Sequence, residues 1–129
     1  MKRGIFILLL FIIANTTYAQ YSLTFCKEVS TEGLAQKPGS TFTTEQDGNT
    51  LKMLVKSDDK FTTYQVEYRI FYVDASGKES EVSKLPQMVE PNWDFAWKEV
   101  VFYDPGTYRI KVYDEKGNYL TSANVNIKN

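Results

Sequence analysis

The sequence predicts an all-β fold in which two antiparallel sheets, with about seven to eight strands in all, pack face to face. The first observation is composition: Val, Ile, Thr, Tyr and Phe recur along the chain, and turn signals follow about every ten residues. The second is the alternation of apolar and polar side chains, which is typical of a sheet with one buried and one solvated face. Two such sheets must cover each other, so the sequence predicts a β-sandwich.

Residues 1–19 predict a cleaved signal peptide. A basic start precedes an apolar run at residues 5–13, and Thr17 and Ala19 supply the small residues of a cleavage site. The apolar run is too short to cross a membrane, which takes about 20 residues. We therefore expect residues 20–129 to form a single domain without a membrane span, in a secreted, periplasmic or cell-surface protein.

Eight segments are predicted as strands, because each is rich in β-branched or aromatic residues and is bounded by turn residues. They are residues 22–29, 40–45, 50–57, 63–74, 81–90, 97–103, 107–114 and 119–128. The stretch from Gly33 to Gly39, which contains Pro38, predicts an irregular loop. Pro86 and Pro91 predict that the segment around Leu85–Trp93 is an edge strand or a connection that crosses an edge, because proline cannot donate to a ladder.

Alternation is clearest in two of these segments, and it defines the expected core. In the first, one face carries Tyr64, Val66, Tyr68, Ile70 and Tyr72, and the other carries Gln65, Glu67 and Arg69. In the second, Tyr108, Ile110 and Val112 share a face. We expect one contiguous core between the sheets that includes Val66, Tyr68, Ile70, Ile110, Val112 and Val125.

Two pentapeptides predict turns between consecutive strands. Residues 74–78 (DASGK) and 114–118 (DEKGN) each place a glycine between two runs that resemble strands. Glycine adopts positive φ at little cost, which tight hairpin turns require.

One motif resembles a known superfamily. Asp104-Pro105-Gly106-Thr107-Tyr108 is similar to the D-x-G-x-Y sequence that begins strand F of immunoglobulin-like and fibronectin-III-like sandwiches. The resemblance implies a tyrosine corner, in which the Tyr108 hydroxyl bonds backbone upstream, Gly106 forms the sharp turn and Asp104 bonds local amides. Ile110 stands where antibody domains carry a disulfide cysteine. The resemblance implies the fold and no activity.

Cys26 is the only cysteine, so no intramolecular disulfide is possible. Three interpretations exist for its thiol. The tetrapeptide that ends at Cys26 resembles a lipid-attachment site, although bulky Phe25 departs from the pattern. A disulfide with another molecule is the second interpretation. A buried thiol that acts as a small apolar group is the one we favour.

Composition excludes several kinds of chemistry. The chain has no histidine, which removes His-based triads, histidine acid–base catalysis and most catalytic zinc sites. The formal charge is −1 and becomes −3 once Lys2 and Arg3 are lost, which does not favour nucleic acid as a partner. We predict no enzyme, cofactor or metal site. Asp94 paired with Glu99 or Glu67 is the nominal carboxylate pair that a glycosidase would need.

One segment suggests a function. In an extended strand Trp93, Phe95 and Trp97 share a face, and a row of aromatic rings can stack on sugars or anchor a protein interface. Burial in the core is the favoured alternative, because a domain without disulfides needs large apolar side chains. The sequence thus predicts a non-catalytic binding module for a protein or glycan. The alternative is a structural or accessory subunit of a bacterial envelope assembly.

Overall fold

A computed structural model of the protein describes residues 20–129, and the predicted signal peptide lies outside the described residues. Apart from one short helix, the regular secondary structure of the described chain is all β. Its elements are β1 (Tyr21–Cys26), β2 (Glu28–Val29), β3 (Ala35–Gln36), β4 (Thr41–Thr43), α1 (Thr44–Asp47), β5 (Thr50–Ser57), β6 (Gln65–Val73), β7 (Glu79–Met88), β8 (Phe95–Val101), β9 (Gly106–Asp114) and β10 (Tyr119–Lys128). The all-β prediction is confirmed.

The strands form two main sheets and a small hairpin. The first sheet has the order β1-β5-β8, and the second has the order β4-β10-β9-β6-β7. Neighbours in both sheets are antiparallel except β4 and β10, which run parallel. Strands β2 and β3 pair with each other outside these sheets. Eight strands therefore belong to the two sheets, as the sequence predicts.

The core lies between the two sheets and is centred on β6 and β9. Ile70 pairs with Ile110, and Tyr68 pairs with Val112, which places four apolar side chains side by side. All six residues expected in the core are buried, and they belong to one cluster with inward-facing residues of β1, β5 and β8. The predicted alternation in this segment fails at its two ends: Tyr64, which precedes β6, and Tyr72, near the end of β6, are exposed.

Three local predictions are wrong. The strand predicted at 22–29 ends at Cys26, and Glu28–Val29 pairs with β3 outside the two main sheets. The strand predicted at 40–45 ends at Thr43, and a helical turn follows it. Polar side chains favour this turn: the Asp47 carboxylate accepts the Thr43 N–H, and the Lys27 ammonium donates to the Asp47 carbonyl. The predicted irregular loop from Gly33 to Gly39 contains β3, because the chain folds back on β2.

Both predicted hairpin turns are present and share one geometry. Asp74 accepts the N–H groups of Ser76 and Lys78 through its carboxylate, and Gly77 adopts a φ of 89°. In the second turn the Asp114 carboxylate accepts the N–H groups of Lys116 and Asn118, and Gly117 adopts a φ of 85°. An aspartate that bonds backbone two and four residues later fixes each turn.

The β2–β3 hairpin covers part of the outer face of the β1-β5-β8 sheet. Cys26 and Leu54 belong to that outer face, yet neither is more than 1% exposed. The Cys26 Sγ donates to the Lys52 carbonyl at 3.8 Å, and burial raises the pKa of the Cys26 thiol. A buried thiol of raised pKa is unreactive, which matches the favoured interpretation of this cysteine.

Candidate functional site

The three aromatic residues of the predicted binding segment lie at the start of β8, the edge strand of the three-stranded sheet. Trp93 precedes the strand, and its carbonyl accepts the Phe61 N–H at 2.8 Å. The Asp94 carbonyl accepts the Ser57 N–H at 2.9 Å, so backbone hydrogen bonds hold this segment against the neighbouring chain. Phe95 and Trp97 follow on the outer face of the sheet, since the alternate residues Ala96 and Val100 are buried.

Both tryptophans are partly exposed to solvent. Trp93 is 42% exposed and Trp97 is 40% exposed. They line a shallow depression of about 550 Å³ together with Gln87, Asn92 and Phe95. The favoured interpretation of these rings as core residues is wrong. The buried cluster between the sheets is made of residues from both sheets and their loops, and neither tryptophan belongs to it.

Electrostatic contacts hold the Trp97 ring. The Lys52 ammonium lies 4.7 Å from the centroid of the ring, and it donates to the Glu28 carboxylate at 2.6 Å. That hydrogen bond raises the pKa of Lys52 and lowers the pKa of Glu28, so both groups stay charged near neutral pH. A cation over an indole face is attracted by the ring quadrupole, which orients the ring.

Phe95 has a different role from the two tryptophans. A Cβ atom at Gly33 would lie 2.6 Å from the Phe95 ring, so the hairpin backbone packs directly on this ring. Phe95 is only partly exposed. The three aromatic residues therefore do not form one open row: Trp93 and Trp97 face solvent, whereas Phe95 supports the β2–β3 hairpin.

Sequence reasoning missed the role of Gln87, which links the two sheets beside the depression. Its Oε1 accepts the buried Tyr68 hydroxyl at 2.6 Å, and its Nε2 donates to the Trp97 carbonyl at 2.8 Å. Burial raises the pKa of the Tyr68 phenol, which keeps it protonated as a donor. No sequence pattern around Gln87 indicates this bridge, because its partners lie on two other strands, 19 and 10 residues away in the chain.

The D-x-G-x-Y motif has the geometry of a tyrosine corner. The Tyr108 hydroxyl donates to the Asp104 carbonyl at 2.8 Å, and Tyr108 is buried. Asp104 contributes its backbone carbonyl rather than the side-chain bonds that the motif predicts. Gly106 has a φ of 150° and lies against the Tyr72 ring, while Ile110 is fully buried two residues after Tyr108. These four residues position the turn and strand, and they do not face the tryptophan depression.

The Tyr108→Phe substitution is expected to lower the free energy of unfolding by about 1 kcal/mol, because the Asp104 carbonyl loses its donor while the ring still packs against Phe102. Urea denaturation measures this loss. The Tyr113→Phe substitution is a control, because that ring is half-buried on the same strand. An unchanged stability of the Tyr108 variant would show that the corner contributes nothing.

The nominal carboxylate pair of Asp94 and Glu99 does not have the separation of a glycosidase site. Asp94 and Glu99 lie about 16 Å apart along an extended strand, well beyond the separation that either glycosidase mechanism uses. Glu67 lies on the other sheet, where its carboxylate binds Arg69 at 2.6 Å. Residues 20–129 contain no group of three His, Cys, Asp or Glu side chains arranged to hold a metal ion. Among the same residues no helix is long and apolar enough to span a membrane.

A comparison with protein-family models finds no match, and a comparison with curated protein sequences finds none either. Among solved structures, the chain is similar to an immunoglobulin-like protein from Pseudomonas aeruginosa. The TM-score is 0.55 at 10% sequence identity, over 88% of this chain and 99% of the other. The sheet order agrees with that similarity: β1, β5 and β8 occupy the positions of strands A, B and E, and β6, β9 and β10 those of C, F and G. The tyrosine corner then falls on strand F, and the chain has an immunoglobulin-like β-sandwich fold.

Proposed function

We propose that this protein is a non-catalytic binding module that recognises a glycan at the depression between Trp93 and Trp97. The observation that carries the proposal is the solvent exposure of both indole rings in a domain whose core is complete without them. Exposed tryptophans that border one concave surface are uncommon on a soluble monomer and mark binding sites.

The chemistry around the rings favours a sugar over an apolar ligand. Asn92 and Asp94 line the same depression, and their amide and carboxylate groups are suited to sugar hydroxyls. The apolar C–H face of a pyranose fits an indole ring, while its hydroxyls need hydrogen-bond partners at the rim. The depression is also open and shallow, which suits one or two sugar units of a longer chain rather than an enclosed small molecule.

A glycan ligand is consistent with the location that residues 1–19 predict. The protein would act outside the cytoplasm, as a secreted, periplasmic or surface protein that works without a cofactor or metal. A protein partner that binds the same tryptophans is the alternative, and direct measurement of glycan binding distinguishes it from a glycan ligand.

The Trp93→Ala substitution is expected to weaken glycan binding by more than about 1 kcal/mol, which is over fivefold in affinity, with little change in melting temperature. A glycan array identifies the ligand, and titration calorimetry compares the variants. Tyr119→Ala is the matched control, because this aromatic residue is 58% exposed and lies on the other sheet.

Two results would contradict the proposal. If Trp93→Ala unfolds the domain, the ring is a structural residue. If the wild-type protein binds no glycan while the two tryptophans are protected by a protein partner, the surface is a protein interface instead.

A further inference from the structure

A second concave surface lies between the free edges of the two sheets. It is a groove of about 810 Å³ between β7 and β8, and buried core residues such as Ile70 and Tyr108 form its floor. Its rim carries apolar side chains that face solvent: Val82 is 56% exposed, Val101 is 42% exposed and Tyr103 is 81% exposed. Part of the interior of the sandwich is thus open to solvent along this side.

The backbone of β8 directs hydrogen-bonding groups into the groove. At the two ends of the β5–β8 ladder, the Ser57 N–H donates to the Asp94 carbonyl and the Phe102 N–H donates to the Asn49 carbonyl. The backbone hydrogen bonds between the two strands are therefore made by the even-numbered residues of β8. Opposed residues alternate between bonded and non-bonded pairs in an antiparallel ladder. The N–H and C=O groups of the odd-numbered residues Glu99 and Val101 therefore point away from β5, toward the groove.

The Trp97 carbonyl shows the same direction and marks where the free edge begins. It points away from β5 as well, and there it accepts the Gln87 side-chain amide from β7. This bridge closes the gap between the sheets at the Trp97 end. Beyond it, no described strand pairs with the outer edge of β8.

The two edges that flank the groove differ in protection. Strand β7 has a register shift beside Ile70 and carries Pro86, and Glu81 and Lys84 add charges. Bulges, prolines and charges are the devices that keep an edge strand from pairing with another chain. Strand β8 also carries charges, at Lys98 and Glu99, but its ladder with β5 has no register shift and the strand contains no proline. An incoming strand would accordingly pair with β8.

The charge of the groove selects the kind of strand. Glu99 and Asp104 are the acidic residues of the lining, and within residues 20–129 no lysine or arginine lines it. Lys52 lies opposite Glu99 on β5, but its ammonium binds Glu28. Asp104 accepts the Tyr108 hydroxyl through its backbone carbonyl, and its carboxylate makes no hydrogen bond or ion pair within residues 20–129.

We propose that the β7–β8 groove binds an extended peptide segment of a partner protein, which adds to β8 as a further strand. Every second side chain of the segment is apolar and enters the groove, and the segment carries lysine or arginine that meets Glu99 and Asp104. Its backbone bonds the N–H and C=O groups of Glu99 and Val101. Main-chain pairing supplies the affinity in this mode, and the alternate pockets supply the specificity. This groove is separate from the tryptophan depression, and binding by strand addition would suit an accessory subunit of an assembly.

Selection of random peptides displayed on phage against the whole protein tests this inference. The enriched peptides are expected to be basic, free of proline and apolar at alternate positions. In NMR titrations with one enriched peptide, the amide protons of Glu99 and Val101 should shift and become protected from exchange. The same peptide with N-methylated backbone amides should bind about tenfold or more weakly, because donors to the β8 carbonyls are lost.

Matched variants assign the binding edge. Glu99→Pro removes an N–H that β5 does not use and should weaken peptide binding about tenfold or more, whereas Lys84→Pro on the β7 edge should change it less than about twofold. Glu99→Lys should also weaken binding by charge repulsion, which covers the case in which the proline variant fails to fold. Failure to enrich any peptide, or enriched peptides that respond to Trp93→Ala and not to the Glu99 variants, would overturn the proposal.

Discussion

Replacing Ile110 by alanine is expected to lower the free energy of unfolding by about 2–5 kcal/mol. Ile110 is fully buried in β9, a central strand of the five-stranded sheet, and it pairs with Ile70 of β6 and Ala123 of β10. Because β9 is hydrogen-bonded to a strand on each side, we expect these strands not to collapse into the cavity that the shorter alanine side chain would leave. A domain of this size has only about 5–15 kcal/mol of stability, and this one has no disulfide to limit the unfolded state.

Urea denaturation followed by circular dichroism measures the loss for Ile110→Ala. Val82→Ala is the matched control, because Val82 is also a β-branched strand residue but is exposed, and its loss should stay within about 0.5 kcal/mol. Similar losses for the two variants would contradict the packing of the sheets around Ile110.

The Gly106→Ala substitution is expected to be the next most damaging change, at about 1–3 kcal/mol. Gly106 has a φ of 150°, which residues with a side chain rarely adopt. The added Cβ would also lie 2.6 Å from the Tyr72 ring. That ring packs edge-on against Tyr108 with centroids 5.6 Å apart, so a shift of Tyr72 would disturb the tyrosine corner as well.

Two further variants separate the backbone and contact effects at Gly106. Gly77→Ala introduces a side chain at positive φ with no atom within 4 Å, so it reports the conformational cost alone, about 1 kcal/mol. In a Tyr72→Ala background the cost of Gly106→Ala should fall toward that value. If Gly106→Ala costs no more than Gly77→Ala in the wild-type background, the close packing of Tyr72 on this glycine is not significant.

The sequence predicted the fold well where alternation is long and one face is buried. Strand β10 has the predicted bounds, and β6 and β9 differ from them by no more than two residues, because a one-residue slip would turn their apolar side chains to solvent. The sequence predicted β4 less well. Its pairing with β10 joins segments far apart in the chain, and polar contacts around Asp47 determine where it ends.

The candidate site was predicted only in part, and the reason is tertiary packing. Strand periodicity places Trp93, Phe95 and Trp97 on one face, but it cannot tell whether another element covers that face. Gly33 in the β2–β3 hairpin covers Phe95, and Lys52 packs over Trp97. The β8 edge and the Gln87 bridge depend on which strands neighbour each other, which a single sequence does not specify.

Tryptophan fluorescence tests the claim that both indole rings are exposed, because Trp93 and Trp97 are the only tryptophans in the chain. We expect red-shifted emission that acrylamide quenches readily in the free protein, with a blue shift and protection from quenching when the glycan binds. Single Trp→Phe variants assign the signal to each ring. Blue-shifted emission that acrylamide does not quench in the free protein would contradict the claim, since it would place both rings in the core.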